Sequence, residues 1–123
     1  METHNPVDES QISNIQNKLN ISIPKVYINF LLHTNGAEFE RGVLYDVDSI
    51  AEMYEALGFL DYAPEYIPIG NDNGDYELVM EADEDTECFG LLEQGSIGIM
   101  SPEKMQDFNS WIKKGCPFDF FNE

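Results

Sequence analysis

The chain has 123 residues, enough for one domain, and its 42 % apolar content with eight Phe, six Tyr and one Trp supports a hydrophobic core rather than disorder. It carries 24 acids against six Lys plus Arg, a net charge of −18, a balance that repels nucleic acid and anionic lipid and steers cationic partners inward. No apolar run approaches the roughly 20 residues of a membrane helix, the start Met1 to Pro6 lacks the basic and apolar runs of a signal peptide, and two distant cysteines, Cys88 and Cys116, read as reduced core thiols of a cytoplasmic protein.

In chain order, residues 1–6 read as a loose start and the whole of 1–123 as a single domain. Residues 6–19 fit a first helix, with Asp8 or Ser10 as its cap and Ile12, Ile15 and Leu19 on one face. Pro24 suits the first turn of a second helix, in which Val26, Tyr27, Phe30 and Leu31 form a wide apolar stripe and Asn35-Gly36 supplies the stop. His33 falls in its last turn and reads as structural or surface, since nothing nearby in sequence partners it. Residues 42–46 suit a short strand. A third helix follows, capped by Asp48 or Ser49, with Ile50, Met53, Tyr54 and Leu57 on its apolar face and Gly58 at its end. Residues 59–64 read as a loop or a frayed extension of that helix.

Residues 66–70 and 76–81 predict two strands around the turn Asn71-Asp72-Asn73-Gly74-Asp75, whose residues tolerate positive φ or bond nearby backbone N–H groups. Strand alternation puts Tyr76, Leu78 and Met80 on one face and Glu77, Val79 and Glu81 on the other, with Glu77 and Glu81 expected to face outward or into a cleft. Residues 88–92 and 97–100 then read as a hairpin about Glu93-Gln94-Gly95-Ser96. Ser101-Pro102 opens a last helix with Met105, Phe108, Trp111 and Ile112 on its apolar face and Gly115 as its stop, and the aromatic tail 116–121 packs back. Clustered strands flanked by helices predict an α+β domain: a mainly antiparallel sheet of about five or six strands with helices packed around it.

The charge is not spread evenly. Between Arg41 and Lys104 there is no basic residue, yet that span holds 16 acids, and residues 81–87 alone hold five. Calcium-loop spacing fails here, because counting back from Gly74 puts Ile69 at the first ligand position. Zinc lacks the Cys and His spacing, and Gly70 and Gly74 lie among acids that would repel phosphate. No metal or cofactor is therefore expected. Nucleophilic catalysis is short of bases, with only two His.

Ile12 to Gly36, with Ile-x-Ile-Pro-x-x-Tyr-x-x-Phe-Leu from Ile21 to Leu31 and then Asn35-Gly36, resembles the opening signature of the SUKH superfamily. Residues 64–75, a strand ending in Ile-Gly and an acidic glycine turn, are similar to that superfamily's central signature, and Phe108 and Trp111 to the aromatic pair of its final helix. The resemblance implies a SUKH-like α+β domain and structural roles for Pro24, Tyr27, Phe30, Leu31, Asn35, Gly36, Pro68, Gly70, Asp72, Gly74 and Trp111. It also implies a non-catalytic immunity protein that neutralises a cognate toxin, commonly a nuclease. It carries over no contact residues. From the charge, the expected toxin-binding residues are Asp46, Tyr54, Asp75, Glu77, Glu81, Asp83, Glu84, Asp85 and Glu87. Tyr45, Tyr54, Tyr62 and Tyr66 are candidate aromatic anchors among the acids. The expected partner is a basic toxin domain, with no nucleic acid or membrane. The alternative is a regulatory scaffold module without a toxin.

Overall fold

A computed structural model describes residues 5–121, together with the backbone of Glu2 and Thr3. The helices are α1 (Glu9–Leu19), α2 (Lys25–His33), α3 (Val47–Ala56), α4 (Phe59–Tyr62) and α5 (Phe108–Lys113). The strands are β1 (Glu2–Thr3), β2 (Ala37–Phe39), β3 (Gly42–Leu44), β4 (Tyr66–Asn71), β5 (Tyr76–Glu81), β6 (Cys88–Glu93) and β7 (Glu103–Asp107). They form one seven-stranded sheet in sequence order, antiparallel throughout. The expected α+β class and antiparallel meander are both present. Part of the start that reads as loose enters the sheet: β1 pairs with β2, and the Asn5 carbonyl accepts from Asn35 N at 3.2 Å. Met1 and His4 lie outside the described residues.

Local chemistry explains most element ends. Asp8 caps α1 in a reciprocal box, its Oδ1 accepting from Gln11 N at 3.0 Å while Gln11 Oε1 accepts from Asp8 N at 3.3 Å. Asn20 closes that helix in the left-handed region at φ 54°. Pro24 precedes α2 at φ −55°, where a missing N–H costs nothing. The cap of α3 is Asp46, not Asp48 or Ser49: its Oδ1 accepts from Ser49 N at 2.7 Å, so the helix starts one residue after it. Pro68 is tolerated inside the sheet because the β4–β5 register shifts between Pro68 and Gly70. The residue within that shift, Ile69, turns its carbonyl to Tyr45 N at 2.8 Å and to the Tyr27 hydroxyl at 3.1 Å.

Two expected elements are replaced. Residues 102–107 do not start the last helix; most of them form β7, which pairs Asp107 with Cys88 and Gln106 with Phe89. The outer edge of β6 would otherwise carry unpaired backbone groups, and satisfying them outweighs the helical spacing of Met105. Asp107 then caps α5, accepting from Ser110 N at 2.8 Å. With that edge taken, 97–100 is not a strand. Gln94–Ser96 form a short 3-10 turn, and Ile99 N and Met100 N both donate to the Ser96 carbonyl, at 2.9 and 3.0 Å.

The core is strongly aromatic. Phe89, on the same face as Leu78 and Leu91 by register, meets Phe108, Trp111 and Phe120. Tyr27 packs on Phe30 and Phe108, and the tail folds back so that Phe118 meets Trp111 and Phe39. Trp111 is buried and donates from Nε1 to the Pro117 carbonyl at 2.9 Å. Cys116 is buried, but Cys88 is exposed and so is not a core thiol; both are free.

Gly70 marks a close approach of β4 to β3, since a Cβ there would sit 2.2 Å from the Val43 carbonyl oxygen. Gly70→Ala is expected to destabilise the protein by about 2–3 kcal/mol, because a backbone atom cannot yield as a side-chain tip can. Gly95, with nothing within 4 Å of its would-be Cβ, is the control: Gly95→Ala should stay within about 0.5 kcal/mol of the parent. Urea unfolding midpoints measure both.

Candidate docking surface

Of the acids between Arg41 and Lys104, all but Asp46, Asp72 and Glu77 are exposed. Among the described residues one ion pair forms, Lys25 Nζ to Asp85 Oδ1 at 3.9 Å, between two exposed side chains. The acidic surface is thus almost uncompensated by the protein itself. Its densest part, residues 81–87, is an ordered loop. Ala82 N donates to the Glu65 carbonyl at 2.7 Å, Lys25 N to the Glu84 carbonyl at 3.0 Å, and Asp85 N to Asp83 Oδ1 at 2.8 Å. Glu81, Asp83, Glu84, Asp85 and Glu87 all reach solvent there, and Asp75 is exposed at the other end of β5.

Three expected contact residues are placed otherwise. Asp46 is half-buried and occupied as the cap of α3. Tyr54 is buried, with its hydroxyl donating to the Pro64 carbonyl at 3.2 Å. Glu77 does not face outward: it is the only fully buried polar side chain among the described residues. Both faces of β5 are covered, so the alternation that places Glu77 opposite Tyr76 places it in the interior.

Its carboxylate is fully served. The Tyr45 hydroxyl donates to Oε1 at 2.6 Å, and Gln94 Nε2 donates to Oε2 at 2.7 Å. Asn71 Nδ2 in turn donates to the Tyr45 hydroxyl oxygen at 2.9 Å. Burial pushes the Glu77 carboxyl above its ordinary range; the bonds from Tyr45 and Gln94 oppose that shift, and the negative charge of Asp72 adds to it. Burial, with the Glu77 charge beside it, also raises Tyr45 well above the usual phenol range, so Tyr45 stays a donor. The cluster joins the residue after β3, the end of β4, the start of β5 and the turn after β6. Its chemistry is that of a positioning element.

The turn residues follow the expected pattern. Asp72 Oδ1 accepts from Gly74 N at 2.9 Å and Tyr76 N at 3.3 Å, and Asn73 takes the positive φ of 62°. Gly36, at φ +86°, is needed where a Cβ would lie 2.7 Å from Asp46 N. His33 is exposed and bonds the Asn29 carbonyl through Nδ1 at 2.8 Å. No group of three or more His, Cys, Asp or Glu among the described residues is arranged to hold a metal ion. No described helix is long and apolar enough to cross a membrane.

Of the four tyrosines proposed as anchors, Tyr45 and Tyr54 are buried, Tyr66 is half-buried and Tyr62 is exposed. Sequence reasoning missed two exposed apolar neighbours of Tyr62, namely Ile99 and Met100. The signal was the close spacing of Gly95, Gly98 and Pro102, which argues for a turn against the alternation of Ile97 and Ile99.

Comparison with protein families gives a match to the SMI1 / KNR4 family (SUKH-1) over residues 6–114. That family is known for immunity and antitoxin-type domains and is generally non-catalytic. Comparison with curated proteins gives no match.

A carboxyl raised in the folded state holds its proton in a pH window where the unfolded chain has lost it. Stability therefore falls as pH rises from the ordinary Glu range through the raised value, and is flat above it. Glu77→Gln is expected to remove that fall and to match or exceed the parent at pH 7, with the Gln94 amide turned to keep both bonds. Glu77→Ala should be about 2–3 kcal/mol less stable than Glu77→Gln, because it leaves a cavity and orphans two donors. Denaturant titrations from pH 4 to 8 check both.

Proposed function

The chain belongs to the SMI1 / KNR4 family (SUKH-1), and from that premise we propose that it is a cytoplasmic, non-catalytic immunity protein that binds and neutralises a cognate toxin. The observation that carries the reading is the uncompensated acidic surface around residues 81–87, within a span of 16 acids and no basic residue. A nuclease toxin suits that surface, because a groove that holds phosphates must be basic. The mechanism is occlusion. The acidic face of Asp75, Glu81, Asp83, Glu84, Asp85 and Glu87 docks where the substrate's phosphates would lie.

Complementary charge of this kind acts mainly on the rate of encounter. The ordered backbone of the 82–87 loop supports fast docking, since the carboxylates need little reorganisation to meet a partner. A scaffold partner without a toxin need not be basic, so a charge this one-sided favours the toxin reading. The test is growth rescue: co-expression of the full chain with the toxin encoded beside its gene should restore growth, and a toxin that still kills the cell contradicts the reading.

Reversing Glu81, Asp83 and Glu87 to Lys should lower the association rate constant by about tenfold or more at low salt and flatten its dependence on ionic strength. Stopped-flow mixing at several salt concentrations measures both. An unchanged rate would move the encounter surface away from the acid loop.

A further inference from the structure

We infer that the energetic anchor of the toxin-binding surface is an apolar patch of Tyr62, Ile99 and Met100, and that its occupant is a basic protein surface carrying an apolar side chain. The inference rests on the immunity reading and names the contact that reading leaves open. Tyr62 is 70 % exposed, Ile99 80 % and Met100 61 %, although Ile97 in the same turn is buried. The exposure is held rather than loose. Gly98 seats the turn against the end of α4 at φ +84°, and a Cβ there would lie 2.7 Å from Tyr62 Cβ and 2.9 Å from its carbonyl oxygen. Only glycine combines that conformation with that approach. The two bonds to the Ser96 carbonyl fix the backbone of Ile99 and Met100, and Gln94, at the head of the same turn, is tied to β5 through Glu77 and through its own N–H to the Asp75 carbonyl at 2.8 Å.

The patch lies in the middle of the acidic surface. A cleft of about 200 Å³ is lined by Tyr62, Tyr66, Leu92, Ile99, Met100 and Glu65. Glu65 also lines an adjoining cleft of about 380 Å³ with Glu81 and Asp83. On the other side, Met100 lines a cleft of about 270 Å³ with Glu93 and Glu103. An apolar centre with carboxylates on both sides has the anatomy of a binding hot spot inside a charged rim. The rim selects the occupant. A second copy of this chain would bring two acidic rims together across a self-complementary interface, where like charges oppose each other. An anionic lipid surface meets the same repulsion. A basic protein satisfies the rim and can lay one apolar side chain against the exposed Tyr62, Ile99 and Met100.

The test uses the full chain and the purified toxin domain encoded beside its gene. Replacing Tyr62, Ile99 and Met100 together with Ser should weaken binding by about 30-fold or more in Kd, mostly through faster dissociation, with an unchanged melting temperature. Ile99→Ser alone, at the most exposed position, should weaken binding in the same direction if the triple variant loses stability. A Kd within about threefold of the parent for both variants overturns the patch while leaving immunity standing. Failure of the parent chain to bind or rescue removes the immunity reading, and the patch with it. A parent dimer by sedimentation that the triple variant converts to monomer also overturns the inference, by making the patch a self-interface.

Discussion

Glu77 is buried in β5, a central strand paired on both sides, and three other parts of the chain meet it in one hydrogen-bond cluster. Tyr45 comes from the connection into α3, Asn71 from the end of β4 and Gln94 from the turn after β6. An unpaired carboxylate inside a protein is costly enough that its partners are obligatory. That requirement fixes the turn Gln94–Ser96 against β5, and the turn in turn sets the direction in which residues 97–101 leave the sheet. The exposed Ile99 and Met100 are thus placed by the hydrogen bonds of a buried carboxyl group.

The rest of the acid content is handled in the opposite way. Apart from the half-buried Asp46 and Asp72, the remaining acids between Arg41 and Lys104 stay in water, where each is individually inexpensive but all repel one another. Local backbone bonds hold the 82–87 loop in place against that repulsion, and a single exposed ion pair to Lys25 does little. A basic partner would relieve the repulsion. In the proposed complex the two layers divide the work: the carboxylates speed the encounter, and the apolar patch slows its reversal.

Much of the frame was legible in the sequence. The family's opening signature, the cap at Asp8, the start of α2 beside Pro24, and the strands about the Asx-rich turn all follow from residue chemistry that acts within a few positions. What was not legible depends on distant partners. Residues 103–107 become β7 because β6 needs hydrogen-bond partners on its outer edge, which no local spacing reveals. Glu77 alternates with Leu78 as a half-buried strand would, and only the covering of both faces turns an outward carboxylate into an inward one. The chain's charge pointed to the acid loop, but the apolar patch beside it was hidden inside a stretch that alternates like a strand.

Hydrogen–deuterium exchange of the full chain, free and with the toxin domain encoded beside its gene, locates the contact directly. Binding should slow exchange in residues 81–87 and 97–101 together, because the two segments border one surface through Glu65. Slowing confined to α1 and α2, or no slowing anywhere, would contradict an acidic, apolar-anchored docking face.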